Sequence, residues 1–282
     1  MAAQVIMNSI VLGLTLALMG IGLTLIYGIL LVVNFAHGEF YMLGAVFIYY
    51  ITSLTGLGYW VSAVLAILAV GVLGWVLEVL VFRRFHGDLI GGCIAAIALS
   101  IGIENITWEI WGPRTRAVAA PVGGETQIFG AILTNDRLLM AGVSLVTILV
   151  LAWFIKYHKL GKAMRAVSQD AEAARVQGIS SMKIMALAFG VATGLAALAG
   201  VLVAPNTFVN PAMGSLPLTF AFIVVIIGGM GSVTGSLIAS MVIGLQQNLT
   251  ALWLGAQWSL GVAFLLAIIV LVVRPKGLLG HE

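Results

Sequence analysis

The sequence predicts an all-α fold: a polytopic helical membrane protein with about eight to nine transmembrane helices and a cytoplasmic helical segment. Hydrophobic residues make up 62% of the 282 positions and charged residues 8%, where a soluble domain carries about a quarter charged. Apolar stretches of about 20 residues recur, each long enough to cross a hydrocarbon core of about 30 Å as a helix. Continuous apolar runs such as Leu260 to Val273 exclude the alternating pattern of a membrane β-barrel. The chain reads as one transmembrane domain, 1–282, divided into a helical block 5–155, a polar segment 156–183 and a second helical block 184–273.

The first span runs from about Val5 to Val33 and is rich in glycine, a pattern that lets helices pack closely. The N-terminus lacks the basic region of a signal peptide, so this stretch is expected to be retained. A polar break, Asn34-Phe35-Ala36-His37-Gly38-Glu39, precedes a short second span near Tyr41 to Thr52. His37 and Glu39 read either as a hinge or as a proton or metal pair, and no third ligand stands nearby in the sequence. Span three, about Tyr59 to Phe82, ends at Arg83-Arg84, with Glu78 one turn earlier placed either to pair with Arg83 or to snorkel to the interface. Span four, about Gly92 to Trp111, carries Glu104, which a rise of about 1.5 Å per residue places inside the bilayer. A carboxylate there lines a pathway or forms a structural hydrogen bond. Residues 112–137 read as a polar outer loop large enough to touch another protein. Span five covers Leu138 to Ile155 and span six about Ile184 to Ala204. Spans seven and eight flank Gly228-Gly229-Met230-Gly231-Ser232, which reads as a tight turn because the phosphate-loop lysine is missing. Span nine, about Trp258 to Val273, ends in Arg274-Pro275-Lys276-Gly277.

The net charge of +3 is no sign of nucleic-acid binding, because the charges cluster at span ends. Ten of the thirteen Lys and Arg residues fall on one predicted side and three on the other, which puts the ten in the cytoplasm. Nine spans then place the N-terminus outside the cell, and eight follow if the Asn34 or Gly228 break is re-entrant. Cys93 is the only cysteine, so an intrachain disulfide is excluded.

The polar segment 156–183 holds six of the thirteen basic residues. Its core, Ser168 to Gly178, reads as a short helix with Ser168 or Asp170 as N-cap, Glu172 early, Arg175 late and Gly178 as the left-handed terminator. No Walker motif, nucleophile elbow or HExxH occurs. If the chain moves solutes, the energy would therefore come from an ion gradient or from another subunit.

Three stretches carry a resemblance over nearly the whole chain: Asn34-Phe35-Ala36-His37-Gly38-Glu39, Gly161-Lys162-Ala163-Met164-Arg165-Ala166 through Gly178-Ile179, and Gly228-Gly229-Met230-Gly231-Ser232. The closing Pro275-Lys276-Gly277-Leu278-Leu279-Gly280 fits as well. The sequence resembles permease subunits of branched-chain amino acid ABC importers of the LivH type, and of related importers for urea and small amides. Glu172-Ala173-Ala174 followed by Gly178 is similar to the EAA-xxx-G core of importer permeases, without the distal Ile-x-Leu-Pro. The resemblance implies a second, homologous permease, two ABC ATPase subunits that carry ATP and Mg, a periplasmic binding protein, and no cofactor or metal on this chain. It implies a non-enzymatic transport subunit of the inner membrane, moving branched-chain or other hydrophobic amino acids by alternating access. It also implies a coupling role for Gly161, Arg165, Asp170, Glu172, Ala173, Arg175 and Gly178. Asn34, His37, Glu39 and Glu104 are the expected pathway residues. The rival reading is a stand-alone proton-coupled transporter that uses Glu39 and Glu104.

Overall fold

In the computed structural model, which describes residues 2–280, the apolar runs are helices. They are α1 (Ala2–Leu30), α2 (His37–Thr55), α3 (Tyr59–Leu80), α4 (Leu89–Trp111), α5 (Asn135–Tyr157), α8 (Ser181–Val203), α9 (Ser215–Gly228), α10 (Val233–Trp253) and α11 (Ser259–Val273). The polar segment supplies α6 (Lys159–Gln169) and α7 (Ala171–Val176). The predicted outer loop is not simply irregular: β1 (Glu125–Ile128) and β2 (Ala131–Thr134) form an antiparallel hairpin within it. Polar side chains start several helices. Asp88 accepts from the Gly91 N–H ahead of α4, and Ser232 accepts from the Gly235 N–H ahead of α10.

Two halves of opposite direction interlock. In the first, α1 descends from the hairpin end, the chain breaks at residues 31–36, and α2 returns toward the hairpin end before α3 descends. In the second, α8 ascends, the chain breaks at 204–214, and α9 returns toward the basic end before α10 ascends. The contacts fix these directions. Along α1 and α10, Ser9 meets Gly244, Gly13 meets Met241, Thr24 meets Ser236 and Gly28 meets Gly231. Along α3 and α8, the Tyr59 hydroxyl donates to the Val201 carbonyl at 2.9 Å, Gly71 faces Gly190, and Gly74 faces Thr193. Each half thus packs its first helix against the third helix of the other. This is the inverted-repeat arrangement common among transporters, with broken helices near the middle.

The two breaks meet. Gly38 at the start of α2 lies directly on Gly214 at the start of α9, and a methyl group on either would strike the backbone of the other. On the flank of this contact the imidazole of His37 lies against Gly22 of α1. The carbonyl of Ala192, the middle residue of α8, borders the same spot. α2 and α9 therefore both begin well inside the protein. Short side chains make this possible, because helices without side-chain bulk approach to backbone contact and gain dispersion and weak C–H···O interactions.

Packing sorts the helices into inner and outer sets. α1 is buried continuously from Gly13 to Ile26, so an all-round apolar sequence is what its position requires. α4 and α11 instead leave Ile94, Ile97, Ile101, Phe264, Leu265 and Ile268 exposed, an apolar surface suited to lipid or to another membrane subunit.

The span count differs from the expectation of eight to nine. Among the described residues six helices are long and apolar enough to cross a membrane, or seven when α9 and α10, bent by 120° at their break, are counted as one span. The paired breaks bear on this: α9 has 14 residues, and α2 opens on the polar His37-Gly38-Glu39.

Charge follows the two ends. Gln4 near the start of α1 exchanges two hydrogen bonds of 2.9 Å with the Ile132 backbone of the hairpin. The N-terminus thus shares an end with Arg114, Arg116 and Arg137. Arg83, Arg84, the polar segment and the chain after α11 lie at the other end, where Gly277 packs on Gly229. Glu78 is fully buried there, 3.6 Å from Arg83 and 3.0 Å from His86, so the expected pairing with Arg83 is joined by a histidine.

Candidate functional site

The polar segment is two helices rather than one. α6 is strongly amphipathic: Gly161, Met164 and Val167 are buried while Lys162, Arg165 and Ser168 are exposed. His158 opens α6 by accepting from the Leu160 N–H at 3.2 Å. Gly161 sits against the Phe154 carbonyl and the Ile155 Cα, so its contribution is to let α6 fold back onto the end of α5. Ser168, expected as a cap, lies inside α6 and donates to the Arg165 carbonyl at 2.9 Å. Asp170 is the junction. Its side chain accepts from the Glu172 and Ala173 N–H groups at 2.8 and 2.9 Å, which starts α7.

α7 ends as its sequence requires. Gly178 has φ +81°, a conformation that L side chains disfavour, and the Ile179 N–H reaches back to the Ala174 carbonyl at 3.0 Å. Ser181 donates to the Ala171 carbonyl at 2.8 Å and ties the far end of the turn to α8. Ala174 points inward and is buried. Glu172, Ala173, Arg175, Gln177 and Gly178 are all exposed. Val176 is 86% exposed, an apolar side chain at the tip of a charged turn. Sequence reading passed over Val176 because a lone valine carries no polar signal. Its meaning comes from exposure, which only the fold supplies.

Asn34, His37, Glu39 and Glu104 do not gather into one site. The Asn34 side-chain carbonyl accepts from the Ala36 N–H at 3.0 Å and shapes the break; Asn34 and His37 are wholly buried. Two residues along a helix turn through about 200°. His37 accordingly faces α1, beside the Met19 backbone, while Glu39 faces α4. The proton-pair reading of His37 with Glu39 fails on this geometry. Glu39 accepts a hydrogen bond of 3.0 Å from the Ser100 hydroxyl, and Glu104 lies one turn beyond Ser100 on α4. Glu104 itself is half-buried and accepts from the Trp108 indole N–H at 3.3 Å. Among the described residues no three His, Cys, Asp or Glu side chains cluster as a metal site.

At the hairpin end Arg116 is held in an aromatic box. Its guanidinium carbon is 4.5 Å from the Trp111 ring centre, 5.1 Å from Tyr49 and 5.6 Å from Tyr50. Its backbone pairs with Val209 in the second break through hydrogen bonds of 3.1 and 2.8 Å. The outer loop is thereby fastened to both halves. Phe129 at the hairpin tip is 90% exposed.

At the opposite end a cavity of about 780 Å³ opens between the end of α1, α6 and the turn joining α9 to α10. Thr24, Tyr27 and Gln169 line it, none of them singled out from the sequence, together with Ser168, expected there only as a cap, and Met230 of the glycine-rich turn. Arg165 lines it too.

Comparison with known proteins places this architecture. The family model described as "Branched-chain amino acid transport system / permease component" matches residues 5–273. The high-affinity branched-chain amino acid transport system permease protein LivH of Escherichia coli K12 is 33% identical over 99% of this chain and 95% of its own length. The corresponding permease BraD of Pseudomonas aeruginosa is 32% identical with the same coverage. LivM, a second permease of the E. coli high-affinity branched-chain system, is 26% identical over 93% of this chain and 67% of its own length.

Proposed function

The chain belongs to the branched-chain amino acid transport permease family, and from that premise we propose that it is one of two permeases in an ATP-driven importer of branched-chain or other hydrophobic amino acids. It is a polytopic membrane transport subunit and not an enzyme. Its partner in the membrane is a homologous permease of the LivM kind, a pairing supported by the similarity of this chain to both LivH and LivM. Two ATPase subunits bind ATP and Mg beneath the pair, and a periplasmic binding protein delivers substrate from above.

The observation that carries this reading is α7. A six-residue helix is too short to persist alone, yet it is capped at Asp170, closed at Gly178 and tied to α8 by Ser181, while its outer face is exposed. Such a segment transmits displacement as a rigid piece when a partner grips it. Glu172, Arg175 and Val176 are the gripping surface, with Asp170 and Gly178 setting its shape and Ala173 keeping it low. The basic residues at this end put it in the cytoplasm, with the N-terminus and the hairpin in the periplasm. Alternating access then follows when ATP-driven closure moves α7 and, through α8 and α6, shifts the two inverted halves against each other.

The test is reconstitution. The chain is extracted in mild detergent, what accompanies it is identified by mass spectrometry, and the complex is placed in liposomes with the binding protein and radiolabelled leucine. A second permease, two ATPases and ATP-dependent uptake are expected. A chain that purifies alone and moves solute without ATP refutes the importer.

A further inference from the structure

We propose that the cavity beside α6 is an exit subsite for a zwitterionic amino acid, in which Arg165 holds the carboxylate and the end of α1 holds the ammonium group. This rests on the importer reading and adds to it the place where substrate last touches the chain before the cytosol. The cavity is about 780 Å³, within the usual range of about 300–1,000 Å³ for small-molecule sites.

Its two sides differ in electrostatic sign. On the α6 side stands Arg165, with Ser168 and Gln169 on the next turn. One Arg165 nitrogen donates to the Lys156 carbonyl at 3.2 Å, which steadies the guanidinium and leaves its remaining donors for a ligand. On the α1 side the helix stops at Leu30. Leu31, at φ +55°, donates to the Tyr27 carbonyl, and among the described residues no hydrogen bond reaches the carbonyls of Gly28, Ile29 and Leu30. These are the orphan acceptors of a helix C-terminus, and they carry the negative end of the dipole of a 29-residue helix. Gly28 and Ile29 line the cavity. Between the poles the wall is apolar, formed by Leu25, Met164, Met230 and Val233.

A cation, a partial anion and an apolar wall in one cavity match the three parts of an amino acid with a hydrocarbon side chain. They match an amine, a carboxylic acid or a lipid tail less well, because each leaves one pole unused. The position adds a mechanical consequence. Arg165 sits on α6, whose C-terminus runs directly into Asp170 and α7, so movement of the coupling turn displaces one wall of the subsite. Arg165, expected from the sequence as an ATPase contact, is on this view a substrate residue.

The test uses the complete importer and the fact that Cys93 is the chain's only cysteine. In a Cys93→Ser background, Ser168→Cys and, separately, Gln169→Cys are labelled with a charged thiosulfonate reagent, and labelling of this chain is followed by mass spectrometry. Leucine at four times its dissociation constant is expected to slow labelling about fivefold, the factor 1 + [L]/Kd. Isoamylamine, which lacks the carboxylate, and isocaproate, which lacks the amine, are expected to give no protection at that concentration. Arg165→Gln is expected to abolish protection by leucine, and Arg165→Lys to restore part of it. Absence of protection at both cysteines overturns the subsite. So does equal protection by the two analogues, or protection that survives Arg165→Gln. ATP-driven leucine uptake by the wild-type complex is measured in parallel: uptake without protection refutes the subsite alone, while failure to import any hydrophobic amino acid refutes the importer itself.

Discussion

The crossing of α2 with α9 and the exposed turn of α7 are both short polar interruptions in an apolar chain, and they are built in opposite ways. At the crossing, Gly38 and Gly214 touch backbone to backbone, with His37 and Asn34 sealed in beside them. At α7, the backbone is satisfied by Asp170, Gly178 and Ser181, and the side chains of Glu172, Arg175 and Val176 are left outside. The crossing is specified by what cannot fit, so its tolerance is near zero. The side chains of the α7 face are exposed, so on the proposed reading they answer to a partner. One region holds the two halves together, and the other is the surface that the proposed ATPase would grip.

The largest effect is expected at the crossing. Gly214→Val drives a branched side chain into the Gly38 backbone. It should cost more than the typical ~1–3 kcal/mol of overpacking, seen as loss of folded protein in detergent size-exclusion chromatography. A well-folded, transporting Gly214→Val variant would break the comparison. Next in size are Glu172→Arg and Val176→Asp. Each should reduce ATP-driven uptake by about tenfold or more, corresponding to about 1.4 kcal/mol or more of lost coupling, while thermal stability and membrane insertion stay unchanged. If stability falls instead, the face is structural.

Asp170→Ala comes third. Removing an N-cap costs about 1 kcal/mol, confined to α7, so uptake should fall a few-fold, with increased hydrogen exchange at Glu172 and Ala173 as the signature. Asp170→Asn, which still caps, should restore most of it. The smallest effect is expected from Glu39→Gln. An amide can still accept from Ser100, so ATP-driven uptake should change by less than about twofold, and a proton gradient should not replace ATP. Abolished uptake in that variant, with gradient-driven transport in the wild type, would revive the proton-coupled reading.

Much of the molecule was legible because hydrophobic burial and helix geometry are local. Apolar run length gave the helices, charge position separated the two ends, and the Asp170 and Gly178 signals marked helix boundaries where the structure has them. What remained hidden depends on residues distant in sequence. The break at Asn34 and the break before Ser215 each look like a loop when read alone. That Gly38 meets Gly214, 176 positions away, is decided by how α1 pairs with α10 and α3 with α8. The same holds for Glu39 facing Ser100 and for Arg165 facing the end of α1.

By itself the sequence determined that this chain lives in a membrane, that its helices are of a certain number and length to within the two breaks, and that one charged turn stands apart. Those properties follow from transfer free energy and backbone hydrogen bonding, which each segment satisfies without knowing its neighbours. The tertiary structure alone decided which polar groups are sealed, which are presented, and which line a cavity, because close packing in an inverted repeat sets those assignments through contacts between residues far apart in the chain.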